Sequence, residues 1–109
     1  VCWQPLNFTS TKSAIELFDR LAPHVVELHL QGRQNGKMCL LEEADIDYDG
    51  VLKHIFADGF DECVSIEFTR DCVVSSPSEF DGRRVLANAA RDREFVEARK
   101  KLPSEPISA

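Results

Sequence analysis

Hydrophobic and polar residues alternate along VVELHLQ, residues 25–31: Val26, Leu28 and Leu30 fall on one side, Glu27, His29 and Gln31 on the other. A period of two is that of a strand. CVSIEFT, residues 63–69, repeats the pattern, with Val64, Ile66 and Phe68 opposite Cys63, Ser65, Glu67 and Thr69. The opening VCWQPLN is a third, shorter extended run whose ladder ends at Pro5. Between VCWQPLN and VVELHLQ the period changes. In STKSAIELFDRLAPH, Ala14, Ile15, Leu17, Phe18 and Leu21 stand at helical spacing, with Ser10 or Thr11 as N-cap and Pro23 as stop. DYDGVLKHIFADGF predicts a second helix, capped by Asp47 or Asp49, with Val51, Leu52, Ile55 and Phe56 inward and Gly59 closing it. The polar segment GRQNGKMCLLEEAD, with its Asn35-Gly36 turn, reads as a loop. A last helix is expected from about Arg83 to Leu102, followed by a frayed tail over residues 103–109.

The order βαβαβα makes an α/β fold with parallel strands the default. Strands covered by helices on both faces should be apolar throughout, and these are not. Aligned from their starts, VVELH and CVSIE put His29 and Glu67 at the same position near the carboxyl ends, and Gln4 shares a face with Cys2. Three successive parallel strands would thus gather Gln4, His29 and Glu67 at the end where α/β sheets and barrels place ligand sites.

Charge narrows the choice. A net charge of −6 over 109 residues argues against a nucleic-acid surface. The basic groups Arg83-Arg84 and Arg99-Lys100-Lys101 read as solvated helix faces. No apolar run approaches the ~20 residues of a membrane span. Cys2, Cys39, Cys63 and Cys72 have no metal-finger spacing and no secretory segment precedes them, so reduced thiols and a cytoplasmic location are expected. The chain opens without Met on a strand-like run, as a piece of a longer protein would.

His29 with Glu67 suits a divalent metal or an acid–base pair, against the plainer reading of a solvated strand face. His24 and His54 read as surface imidazoles. Asp45, Asp47 and Asp49 imitate a calcium loop, with Gly50 sixth from Asp45, but the twelfth position is Phe56, so capping is favoured. Glu42-Glu43 reads as a solvated pair. Arg33 is either an anion or hydroxyl clamp or the partner of a carboxylate.

LAPHVVELHLQGR, a Gly-containing loop, and EEADIDYDGVLKHIFADGFDECVSIEF together resemble the carboxyl-terminal part of the sugar phosphate isomerase/epimerase family, the xylose-isomerase-like TIM barrels. The resemblance covers roughly residues 1–100. It implies that residues 1–102 form three consecutive parallel βα units, the C-terminal part of a (β/α)8 barrel, with the upstream units, a further metal ligand and an acid/base partner lying before Val1. It implies His29 and Glu67 as ligands of a divalent ion (Mn, Mg, Zn or Co), Glu67 as the proton-transfer residue, and Arg33 as a substrate contact. Asp47 would be structural. The chain departs from the family pattern where Gln4 and Asn7 stand for the Asp and His of Asp-x-x-His, where Gly32 replaces the Asp of His-x-Lys-Asp, and where Ala44 replaces a Gly. Gln is a neutral, weaker ligand than Asp.

Two functions follow as expectations. One is a sugar or polyol isomerase/epimerase-like enzyme moving a proton next to a carbonyl, its active form needing the missing barrel half, with self-association as the alternative cover for exposed sheet edges. The other is a metal-free carbohydrate- or partner-binding protein in which Gln4, Asn7, His29 and Glu67 bond to hydroxyls. A plain solvated sheet face predicts Gln4, His29 and Glu67 far apart.

Overall fold

The computed structural model describes residues 1–5 and 10–101. Strand β1 is Cys2–Trp3, helix α1 Thr11–Leu21, strand β2 Glu27–Gln34 and strand β3 Lys37–Cys39. Helix α2 is Tyr48–Ala57, strand β4 Cys63–Phe68 and helix α3 Gly82–Lys100. Among the described residues no helix is long and apolar enough to cross a membrane.

The caps fix where the helices begin. Ser10 accepts from the Ser13 N–H at 3.0 Å, Asp47 from the Gly50 N–H at 3.1 Å, and Asp81 from the N–H groups of Arg83 and Arg84. Each satisfies donors that the first helical turn leaves open. Beyond α2, Gly59 adopts φ +91°, a backbone conformation suited to glycine, and the chain turns.

Strand β2 is the centre of the sheet. β1 and β4 both pair with it in parallel, and β3 pairs with its far end antiparallel, Gly32 against Cys39 and Gln34 against Lys37. This corrects the expectation of three consecutive parallel βα units from a TIM barrel: among the described residues the sheet is mixed, four-stranded and accompanied by three α-helices. The reason lies in the segment read as a loop. Asn35 and Gly36 both take positive φ, 51° and 80°, the requirement of a tight hairpin turn whose twist suits the flanking strands. β2 therefore runs on to Gln34 and the chain returns as β3.

One face of the sheet carries the core. Leu28 and Leu30 meet Trp3, Ala14 and Phe18, then Val51, Leu52 and Ile55, and Val96 of α3. Phe18 stacks tilted on Trp3 with ring centroids 5.4 Å apart. Val26, expected on this face, is 56% exposed because it lies before β2, which begins at Glu27; Val25 is buried in its stead.

Candidate functional site on the polar face of the sheet

The other face of the sheet presents Cys2, Glu27, His29 and Ser65, placed by the pairing of Cys2 with Glu27 and of His29 with Ser65. The polar face anticipated from the alternation is thus a real surface, and its side chains touch. His29 Nε2 lies 3.0 Å from Glu27 Oε1, and His29 Nδ1 lies 3.4 Å from Glu67 Oε2. Ser65 Oγ donates to the same Glu27 oxygen at 3.2 Å. The His29, Glu27 and Glu67 side chains are each about a third exposed, so the group is open to a small molecule on one side.

A β-bulge sets the position of Glu67. Ile66 pairs with Leu30 but Phe68 with Gln31, leaving Glu67 as the extra residue. A bulge sets two residues opposite one and reverses the alternation beyond it. Phe68 is accordingly 38% exposed, and Thr69, expected on the polar face, is 3% exposed and bonded into the helical layer. Thr69 Oγ1 donates to Asp92 Oδ2 at 2.6 Å, while the Leu41 N–H donates to Asp92 Oδ1 at 2.9 Å. Burial pushes the Asp92 carboxyl above the ordinary carboxylate range, against the pull of these two donors.

The remaining candidates fall elsewhere. Gln4 is half-buried just past the end of β1, on the side of Cys2 by alternation. Asn7 lies outside the described residues, as do residues 103–109. Arg33 donates from Nε to Gln31 Oε1 at 3.2 Å and from Nη1 to the Gly36 carbonyl at 3.3 Å. It is thereby tied to the hairpin, with further guanidinium donors left over. His54 is bound to Asp19 at 2.7 Å, joining α2 to α1. Asp47 caps α2, and Asp49 pairs with Lys53 and Arg99 rather than joining a calcium loop.

Sequence reasoning passed over Cys2 and Glu27. Ligand atoms of Cys2, Glu27 and His29 lie within 4.8 Å of one another. The signal was present in the alternation, because Glu27 is two residues before His29 on one strand. Cys2 needed the register of β1, which no local pattern supplies.

No family model matches the chain, and no curated protein or solved structure matches it either.

Proposed function

We propose that the polar sheet face catalyses proton transfer next to the carbonyl of a small keto sugar or oxidised polyol, the chemistry of a sugar isomerase or epimerase. The observation that carries this reading is His29 standing between two carboxylates, Glu27 at 3.0 Å and Glu67 at 3.4 Å. General acid–base chemistry needs a carboxylate held in place with one oxygen free. Glu67 Oε2 faces the imidazole, which leaves Oε1 to take the proton from the carbon beside the carbonyl. The C–H electron pair moves into a carbon–carbon double bond as the carbonyl oxygen gains charge. Return of the proton from Glu67 to the neighbouring carbon, with the hydroxyl proton there passing to the charged oxygen, gives the isomer; an epimer needs a second acid to deliver a proton to the opposite face of the same carbon.

The imidazole of His29 and the carboxylate oxygens beside it are donors that a divalent ion accepts, so the residues present fit such an ion. When bound, the ion supplies positive charge beside the carbonyl oxygen. Ser65, whose hydroxyl lies on the same face, and Arg33, which keeps guanidinium donors beyond those bonded to the hairpin, would bond substrate hydroxyls. The four free thiols fit a reducing, cytoplasmic setting.

The test is a panel of keto sugars and polyols incubated with the full-length protein, followed by chromatography of aldose and ketose. Conversion lost in Glu67→Gln with folding intact supports the reading. Conversion equal in Glu67→Gln and the unmutated protein would sink it. The metal-free binding alternative predicts saturable sugar binding with no conversion.

A further inference from the structure

We infer that Cys2, Glu27 and His29 form a three-residue site for a thiolate-accepting divalent ion, zinc or cobalt rather than magnesium, with Glu67 orienting His29 from outside the ligand set. As the source of the positive charge beside the carbonyl, this site rests on the proton-transfer reading above.

The two imidazole nitrogens have different neighbours. Nδ1 faces Glu67 at 3.4 Å, whereas Nε2 faces Glu27 at 3.0 Å, on the side of the sheet where β1 brings Cys2. A ligating histidine characteristically donates its second ring N–H to a carboxylate, which fixes tautomer and orientation. Glu67 stands on the Nδ1 side at 3.4 Å, an ion-pair contact rather than a formed hydrogen bond, which leaves Nε2 for the ion. A thiolate, a carboxylate and an imidazole are the donors of zinc and cobalt, while magnesium takes oxygen.

The dimensions agree. Tetrahedral bonds of about 2.0–2.3 Å place ligand atoms about 3.3–3.8 Å apart. The three ligand atoms lie within 4.8 Å of one another, so side-chain rotation of roughly 1 Å closes the set. Three protein ligands leave the fourth position to water or substrate, the arrangement of catalytic rather than structural zinc. Glu27 is further held by Ser65, whose hydroxyl donates to Oε1. Gln4, standing where the resembled family has an Asp ligand, is not required by this set: the charge it lacks is supplied by the Cys2 thiolate and Glu27.

The test is a cobalt(II) titration of the full-length protein by absorption spectroscopy, with zinc as competitor. One equivalent should produce a thiolate-to-cobalt charge-transfer band in the near ultraviolet, displaced by zinc. Cys2→Ser should abolish that band while Cys63→Ser, an exposed cysteine on the same face, retains it. Glu67→Gln should weaken cobalt binding about 10–100-fold and keep the band, as loss of an outer carboxylate does. Alkylation of the unmutated protein, mapped by mass spectrometry, should show Cys2 protected by zinc and Cys63 unprotected, which needs no variant to fold. The inference is overturned by a band that survives Cys2→Ser, by no saturable cobalt binding, or by Cys2 alkylated equally with and without zinc. Because the readout is the ion itself, an ion bound without sugar conversion would fail the proton-transfer reading alone, and conversion without a thiolate-bound ion would fail this inference alone.

Discussion

Glu67 and His29 meet, at 3.4 Å, on neighbouring parallel strands at the point where β4 carries one residue more than β2. The bulge joins the two halves of the molecule. On one side it aims Glu67 at the imidazole; on the other it turns Thr69 into the helical layer to hold Asp92. Disturbing the bulge should therefore affect both the polar face and the attachment of α3.

Asp92 is the anchor on the helical side. Asp92→Ala leaves the Leu41 N–H and the Thr69 hydroxyl without their buried acceptor, and should cost about 3 kcal/mol in urea unfolding. Asp92→Asn should cost less and change the pH dependence. The folded carboxyl titrates above the ordinary value of 3.8. In the window from that value up to the raised one, the folded state therefore holds more protons than the unfolded. Its contribution is full below 3.8 and falls away as pH rises. The variant lacks this loss, so its stability relative to the unmutated protein should improve as pH is raised through that window. A difference independent of pH would contradict the assignment. Asp49, whose pKa Lys53 and Arg99 lower, acts in the opposite sense, its contribution present above 3.8 and lost on acidification.

Gly32 is fixed by the hairpin. A Cβ there would lie 2.7 Å from the Cys39 carbonyl oxygen and 2.8 Å from that of Leu40, both backbone atoms. Gly32→Ala should destabilise the protein by about 1–3 kcal/mol, the ordinary cost of forcing atoms into a packed site. Gly32→Asp, with a larger side chain at the same close approach, should be worse than Gly32→Ala. Equal stability of Gly32→Ala and the unmutated protein would show that the β2–β3 approach is looser than described.

The four cysteines should react in a definite order. Cys2 and Cys63 are exposed, Cys72 is half-buried and accepts from the Thr69 N–H at 3.3 Å, and Cys39 is buried. Burial, with Glu43, Asp45 and Asp92 nearby, pushes the Cys39 thiol up to about 11. Its thiolate fraction at pH 7 is then about one in ten thousand. Iodoacetamide at neutral pH should label Cys2 and Cys63 first and Cys39 only on unfolding, as read by intact mass and peptide mapping.

Much of this arrangement is written locally. The helices follow from Ser10, Asp47 and the spacing of Phe18, Val51 and Ile55, and the polar sheet face from the alternation around His29. What escaped is set by pairing between distant segments. Asn35-Gly36 is a hairpin signal, yet the short run Lys37–Cys39 offers too little alternation to declare itself a strand. The one-residue slip at Glu67 is invisible in CVSIEFT, whose alternation runs on unbroken to Thr69. The slip puts Phe68 half outside the core, so Phe68→Ala should cost about 1 kcal/mol, against about 3–5 kcal/mol for Phe18→Ala at a fully buried ring. Cys2 joins Glu27 only through the register of a two-residue strand.

The measurement that most directly tests the central claim is wash-in of deuterium at the carbon beside the carbonyl of keto sugars, followed by NMR in D2O with the full-length protein and Glu67→Gln. Exchange catalysed by the unmutated protein and lost in a folded Glu67→Gln variant is the predicted result. Absence of exchange across the panel, or exchange at the same rate in both proteins, would contradict Glu67 as the proton-transfer residue.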